Sequence, residues 1–174
     1  MERGKIESQV QDKVLEIVSK YKSFFKICVL YHGGEPLLSP DLINLIKSIK
    51  SILKDGFIKT VSNGMLLTES KAKEIADSVL DYIEFSLDSF SAEESNKIRR
   101  NSNAELVIAR VNKLIEIIKE TKSQLKVSIS STQFWSLDLE INPLKELPET
   151  PPWLKTEFNN IESFKTCWAM KWPD

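Results

Sequence analysis

The chain is poor in the residues that hold metals or cross-link proteins. Its 174 residues include two cysteines and one histidine. Cys28 and Cys167 lie far apart, so neither a disulfide framework nor a zinc knuckle is encoded. With His32 alone, a two-histidine metal site is excluded. Beside a glycine turn, His32 reads as a packing or hydrogen-bonding residue, with ligand or acid–base duty the lesser alternative that its titration range leaves open. An excess of one charge is also lacking: 24 lysines and arginines face 25 acids, a net charge of −1. That balance argues against a nucleic-acid footprint. No apolar run approaches the roughly 18 residues of a membrane span, and no signal peptide opens the chain. The expectation is a cytoplasmic protein with no membrane or nucleic-acid partner. Internal repeats and low-complexity tracts are absent as well.

What is present is ordinary for a globular domain. The hydrophobic content is 41% and the charged content 28%, enough for one domain, or most of one, with a real core. Ile6, Val10, Val14, Ile17, Val18 and Tyr21 recur at helical spacing and predict an amphipathic helix over 6–21. An apolar run from Phe25 to Tyr31 predicts a buried strand. Ser39 and Pro40, as N-cap and first helical residue, open a helix striped by Leu42, Leu45, Ile46, Ile49, Ile52 and Leu53 and stopped by Asp55-Gly56. Phe57 to Ser62 is a strand closed by Asn63-Gly64. Thr68 caps the next helix. Tyr82 to Asp88 is a strand, and Ser91-Ala92-Glu93-Glu94 has capping-box spacing for a short helix. Val107, Val111, Leu114, Ile115 and Ile118 stripe a longer one. Leu125 to Ser131 is the last clear strand. After Gln133 the pattern fails, and residues 134–174, rich in proline and tryptophan, read as an irregular segment against the domain or leading to another.

Strands alternating with helices imply βα units and a parallel sheet. The later strands also alternate: Glu84, Ser86 and Asp88 share one face, Ile83, Phe85 and Leu87 the other. Helices covering the apolar face leave the polar face toward water or a polar cavity. The fold class this predicts is α/β, a partial (β/α) barrel of about four βα units. A sheet with one solvated face is the alternative.

Glycine is scarce too, five in the chain, and two of the five stand together in Gly33-Gly34-Glu35-Pro36-Leu37-Leu38 at the end of the first strand. Glycine serves where backbone must turn or be approached closely, and the carboxyl ends of strands in α/β sheets are where ligands bind. Three further strand ends are polar: Ser62-Asn63-Gly64, Ser86-Leu87-Asp88 and Ser131-Thr132-Gln133. Each taken singly is also good turn chemistry.

These strings, in this order, resemble the strand-end motifs of the radical S-adenosylmethionine (radical SAM) enzymes. Gly-Gly-Glu-Pro is similar to the motif whose backbone and acid hold the cofactor's amino group, here Gly33, Gly34 and Glu35. Ser62-Asn63-Gly64 is similar to the family's Thr-Asn-Gly, and Ser86-Leu87-Asp88 to its Ser-x-Asp. In the peptide- and protein-modifying branches a helix and an arginine follow. Arg99 is the better positional match to that arginine, with Arg100 beside it, and with Ser86 it would hold the cofactor's carboxylate, which suits arginine's planar fork. Gln133 ends the strand that would face the nucleoside. The resemblance covers residues 6–133 and implies S-adenosylmethionine binding by Gly33, Gly34, Glu35, Ser62, Asn63, Ser86, Asp88, Arg99 and Gln133. The full enzyme would abstract hydrogen through a 5′-deoxyadenosyl radical, from a peptide or protein substrate.

The departure is in the metal ligands. The family's Cys-x3-Cys-x2-Cys loop, which holds a [4Fe-4S] cluster, is not in this chain. The resemblance puts that loop, with a first strand, immediately before residue 1, so the cluster is implied while its ligands are missing. An open sheet edge beside the Gly-Gly-Glu strand is expected to pair with another copy or a partner. Ser163 to Trp168 is similar to the approach to a cysteine-rich SPASM or twitch extension. There Cys167 would be an auxiliary-cluster ligand in a longer chain; its plainer reading is a packed thiol beside tryptophans. The chain divides into a core at 1–133 and a lead-in at 134–174. Two alternatives stand beside this reading: a cluster-free relative acting as a binding or partner module through its aromatic C-terminal segment, and an unrelated α/β barrel binding phosphate at the glycine turn.

Overall fold

The computed structural model describes residues 8–30, 34–133 and 146–169. Five strands form one sheet in the order β1 (Ile27–Val29), β2 (Phe57–Ser62), β3 (Tyr82–Ser86), β4 (Lys126–Gln133) and β5 (Ser163–Trp168), with every neighbouring pair parallel. Parallel neighbours need crossovers. Helices α2 (Leu42–Ile52), α3 (Glu69–Ala76), α4 (Ala92–Ile98) with α5 (Ala104–Thr121), and α6 (Pro152–Glu157) supply them, and α1 (Ser8–Lys20) precedes β1. The sheet is open, with β1 and β5 at its edges.

The register sorts the side chains into two faces. Ile58, Thr60, Ile83, Phe85, Val127 and Ile129 point to one face and join the buried residues of α2, α3 and α5 in a single core. The other face carries Lys59, Tyr82, Glu84, Ser86, Ser128, Ser130, Ser163 and Lys165. It is polar, as the alternation of β3 and β4 predicts, but not simply wet. Lys59 and Lys165 both donate to Glu84 Oε2, Lys59 at 2.9 Å from the adjacent β2 and Lys165 from β5 across the intervening β4. The Tyr82 hydroxyl donates to Ser128 Oγ at 2.6 Å. Burial pushes the Glu84 carboxyl up, but the two ammonium groups outweigh it and hold the group below its ordinary range. The same carboxylate raises Lys165 against the opposing effect of its own burial.

Local chemistry explains the boundaries. Thr68 Oγ1 accepts from Lys71 N–H at 3.3 Å to cap α3, as predicted. Ser91 caps α4 through Glu94 N–H at 3.1 Å, while the Glu94 carboxylate takes the Ser89 hydroxyl rather than closing the box on Ser91. Gly64, at φ +74°, is needed twice over: a Cβ there would be strained and would meet Val107 Cγ1 at 2.7 Å.

The structure differs from the sequence reading at three places. The apolar run at 25–31 is not a buried strand: three residues pair, and Ile27 and Val29 are 60% and 45% exposed. With β2 on one side and nothing described on the other, β1 is an edge. For the same reason Val10, Val14 and Ile17 of α1 are exposed while Val18 packs into the core. Second, Ser39 does not cap α2. Its N–H closes a 3₁₀ turn, Pro36–Leu38, onto Pro36 O, which moves the helix start to Leu42 with Asp41 before it. Third, a fifth strand lies in the C-terminal segment. Phe164, Thr166 and Trp168 alternate with Ser163, Lys165 and Cys167, and the six residues pair with β4.

Candidate functional site

The carboxyl ends of all five strands form one edge of the sheet, and the predicted residues fall along it. Gly33 and His32 lie outside the described residues. Gly34 is exposed, and a Cβ built on it would meet nothing within 4 Å, so the backbone there is open to a visitor. Glu35 points the other way. Its Oε1 accepts Leu37 N–H at 3.0 Å and the Ser62 hydroxyl at 2.7 Å, and its Oε2 accepts Asn63 N–H at 2.8 Å. One carboxylate thus clasps the end of β2 to the loop after β1. A carboxylate offers about four acceptor positions, so Oε2 keeps one for a further donor.

Ser62 is buried; its Oγ donates to Glu35 and accepts from Gly64 N–H at 3.0 Å. Asn63 Oδ1 takes Met65 N–H at 2.8 Å, a local turn, and its amide NH2 has no partner among the described residues. That turn is fixed to α5 and its N-cap: Arg110 Nη1 donates to Met65 O, and Asn103 N–H approaches Met65 Sδ at 3.3 Å. The result is a cleft of about 210 Å³ lined by Asn63, Met65, Arg99, Arg100, Asn101 and Ser102. Two of the predicted residues, Asn63 and Arg99, therefore meet in one cavity although 36 positions separate them in sequence.

Ser86 lies one strand over, on the polar face, with Ser130 Oγ 3.4 Å from its own. Asp88 is turned inward. Its side chain is 2% exposed; Oδ1 accepts Thr132 N–H at 2.7 Å and Oδ2 takes Arg99 Nε–H. Gln133 ends β4 with its amide donated to Ser131 Oγ at 2.7 Å. Cys167 is exposed on β5, its sulfur 3.8 Å from Thr132 Oγ1. The sequence reading missed Asn101 and Ser102, because the loop that carries them meets the end of β2 only through tertiary contacts, and Met65, which the turn after β2 carries into the cleft. It also missed the Lys59–Glu84–Lys165 arch, for which the alternation of β5 is the available signal.

An all-parallel α/β sheet with a polar inner face and a basic cleft at its carboxyl edge defines a ligand-binding protein of the partial-barrel class. The family assignment is more specific. The Radical SAM superfamily profile matches residues 1–127, and the chain belongs to that superfamily. It is 35% identical over 144 residues to a probable GTP 3',8-cyclase of Methanococcus maripaludis (strain C5), covering 82% of this chain and 44% of that one. Against the GTP 3',8-cyclase of Lactiplantibacillus plantarum it is 30% identical over 98 residues, 56% of this chain and 29% of that one. Streptococcus suis SuiB bound to S-adenosylmethionine shares the fold, with a TM-score of 0.57 at 17% identity over 77% of this chain and 29% of SuiB. The chain thus spans less than half the length of these relatives.

Membership implies S-adenosylmethionine and an iron–sulfur cluster. The rim fits the methionine end of the first. Open backbone at Gly34 and the spare position on Glu35 Oε2 suit an ammonium, and the outer edge of Arg99 suits a carboxylate. The cluster is not matched. Its ligation needs grouped thiolates. Cys28 packs half-buried against the core, with burial raising its pKa, while Cys167 is exposed four strands away. Among the described residues no three His, Cys, Asp or Glu side chains gather for an ion. No described helix is long and apolar enough to cross a membrane.

Proposed function

We propose that this chain is the cofactor-holding portion of a radical SAM enzyme acting on a purine nucleoside triphosphate. The observation that carries the cofactor half is the cleft where Asn63 and Arg99 meet beside the Glu35 clasp. Gly33, Gly34 and Glu35 take the amino group, Ser86 and Arg99 the carboxylate, Ser62 and Asn63 keep the rim in shape, and Gln133 faces the nucleoside. The substrate half rests on the curated relatives, which are GTP 3',8-cyclases. The peptide substrate expected from the sequence has less behind it: SuiB, whose structure is known with a precursor peptide, shares the fold at 16% identity.

The test is calorimetry on the full chain. S-adenosylmethionine should bind, Arg99→Ala should weaken it at least tenfold, and inorganic phosphate should not compete. Competition by phosphate with no S-adenosylmethionine binding would favour a phosphate site at the glycine turn. A second titration with GTP addresses the substrate. The isolated chain should generate no radical, and a reconstituted sample with about four irons per chain would refute that.

The scattered cysteines favour a second reading, a cluster-free relative serving as a binding or partner module through its C-terminal segment. It requires a stable chain indifferent to S-adenosylmethionine.

A further inference from the structure

The cofactor-facing arginine and the buried acid of the rim form a unit. Arg99 is the residue after α4, already extended at φ −127° and ψ 109°, so the helix does not fix its side chain. The side chain is 42% exposed. A long side chain on a loop end samples many rotamers, and ordering it on a ligand costs affinity. Asp88 removes that freedom. Its carboxylate is 2% exposed and has one donor from each side: Thr132 N–H at the end of β4 and Arg99 Nε–H. Asp88 is therefore anchored to the sheet before it meets the arginine.

The nitrogen it takes is the informative one. A guanidinium has three edges, and the contact at Nε leaves the edge formed by the two Nη groups for a second, bidentate partner. That edge belongs to the side chain lining the cleft with Asn63, Asn101 and Ser102. A side chain buried to this degree is poorly placed to touch a ligand itself.

We infer that Asp88 is a positioning residue: it holds Arg99 by Nε so that the Nη edge is presented, pre-ordered, to the carboxylate of the bound amino-acid moiety. This rests on the reading of the rim as an S-adenosylmethionine site. It also assigns Asp88 a part different from direct cofactor contact.

The test is a double-mutant cycle read by calorimetry with S-adenosylmethionine, together with the Arg99 Nε–H resonance in a ¹⁵N NMR spectrum. Asp88→Asn keeps the volume and an acceptor for Thr132 but removes the charge. It should weaken binding about tenfold, the cost of ordering one long side chain. In an Arg99→Ala background the same change should cost nothing further. The Nε–H signal should be protected from solvent in the wild-type chain and lost in Asp88→Asn. Arg99→Lys, with charge but no Nε, should behave like Arg99→Ala. If Asp88→Asn weakens binding equally with and without Arg99, Asp88 acts through the fold or on the ligand and the inference is overturned. If wild-type chain binds and Arg99→Ala weakens it, but Asp88→Asn does not, the inference falls and the site reading stands. If wild-type chain fails to bind, the site reading fails and takes the inference with it, whatever the NMR signal shows.

Discussion

Glu35→Gln separates a clasp from a ligand. In the folded chain three donors converge on the Glu35 carboxylate: Leu37 N–H and the Ser62 hydroxyl on Oε1, and Asn63 N–H on Oε2. Glutamine keeps one oxygen. Placed at Oε1, that oxygen retains two donors, but each bond drops from charge-assisted to neutral, about 1 kcal/mol apiece, and the new NH2 faces Asn63 N–H, donor against donor, for about another 1–3 kcal/mol. The sum is about 3–5 kcal/mol. Water reaches this half-buried side chain and relieves part of it, leaving about 2 kcal/mol for opening the β1 loop away from β2. Local opening is read by amide hydrogen exchange. The Leu37 and Asn63 amides should lose protection about thirtyfold, since each 1.4 kcal/mol is tenfold. Ile129, deep in β4, should not change. S-adenosylmethionine affinity should fall as well, because the acceptor offered to the ammonium at Oε2 becomes an NH2. Unchanged protection at both amides would refute the clasp, and an affinity loss without it would leave Glu35 only its contact with the amino group.

Three further outcomes are expected. Gly64→Ala should destabilise the chain by about 2–4 kcal/mol, from the φ +74° backbone and the 2.7 Å approach to Val107 Cγ1, measured by urea unfolding. The clash part should vanish in the Gly64→Ala/Val107→Ala double variant, and strict additivity of the two changes would contradict it. Glu84→Gln should cost about 1–2 kcal/mol at pH 7, less than a fully buried pair because Lys165 can rehydrate. Glu84 is held below its ordinary 4.5 in the fold, so its contribution is complete above that value and is lost as pH falls through the lower folded one. The gap between wild type and Glu84→Gln should close in acid, and a gap constant down to pH 3 would show that the shift is absent. Finally, the unpaired β1 edge with exposed Ile27 and Val29 should promote self-association visible by light scattering, and a clean monomer at high concentration would sink that expectation.

The βα rhythm was legible because its signals are local. β2 runs over the predicted residues, bounded by Gly56 before it and Asn63-Gly64 after it. The polar face of β3 and β4 was legible for the same reason, a period of two within a few residues. What failed was whatever depends on neighbours. The same apolar run that would be a central strand in a closed barrel is an edge here, and hydrophobicity alone does not distinguish them. β5 carries a clean alternation, but prolines and tryptophans around it suggest an irregular segment, and its partner β4 lies some 35 residues away in register.

The candidate site shows the same division more sharply. Which residues stand at the rim follows from strand ends, and the sequence places Glu35, Asn63, Asp88 and Arg99 there. Which way each one faces does not follow, because the deciding partners are backbone amides of other strands. Glu35 is claimed by Asn63 N–H, 28 positions on, and Asp88 by Thr132 N–H, 44 positions on. Both acids are thereby drawn into the protein, and each cross-ties two strand ends. The charge left facing the cleft is that of Arg99 and Arg100. A rim built this way has its negative charges committed to holding the loops and its positive edge free. That is the polarity an approaching carboxylate or phosphate requires, whether it belongs to the cofactor or to a substrate beside it.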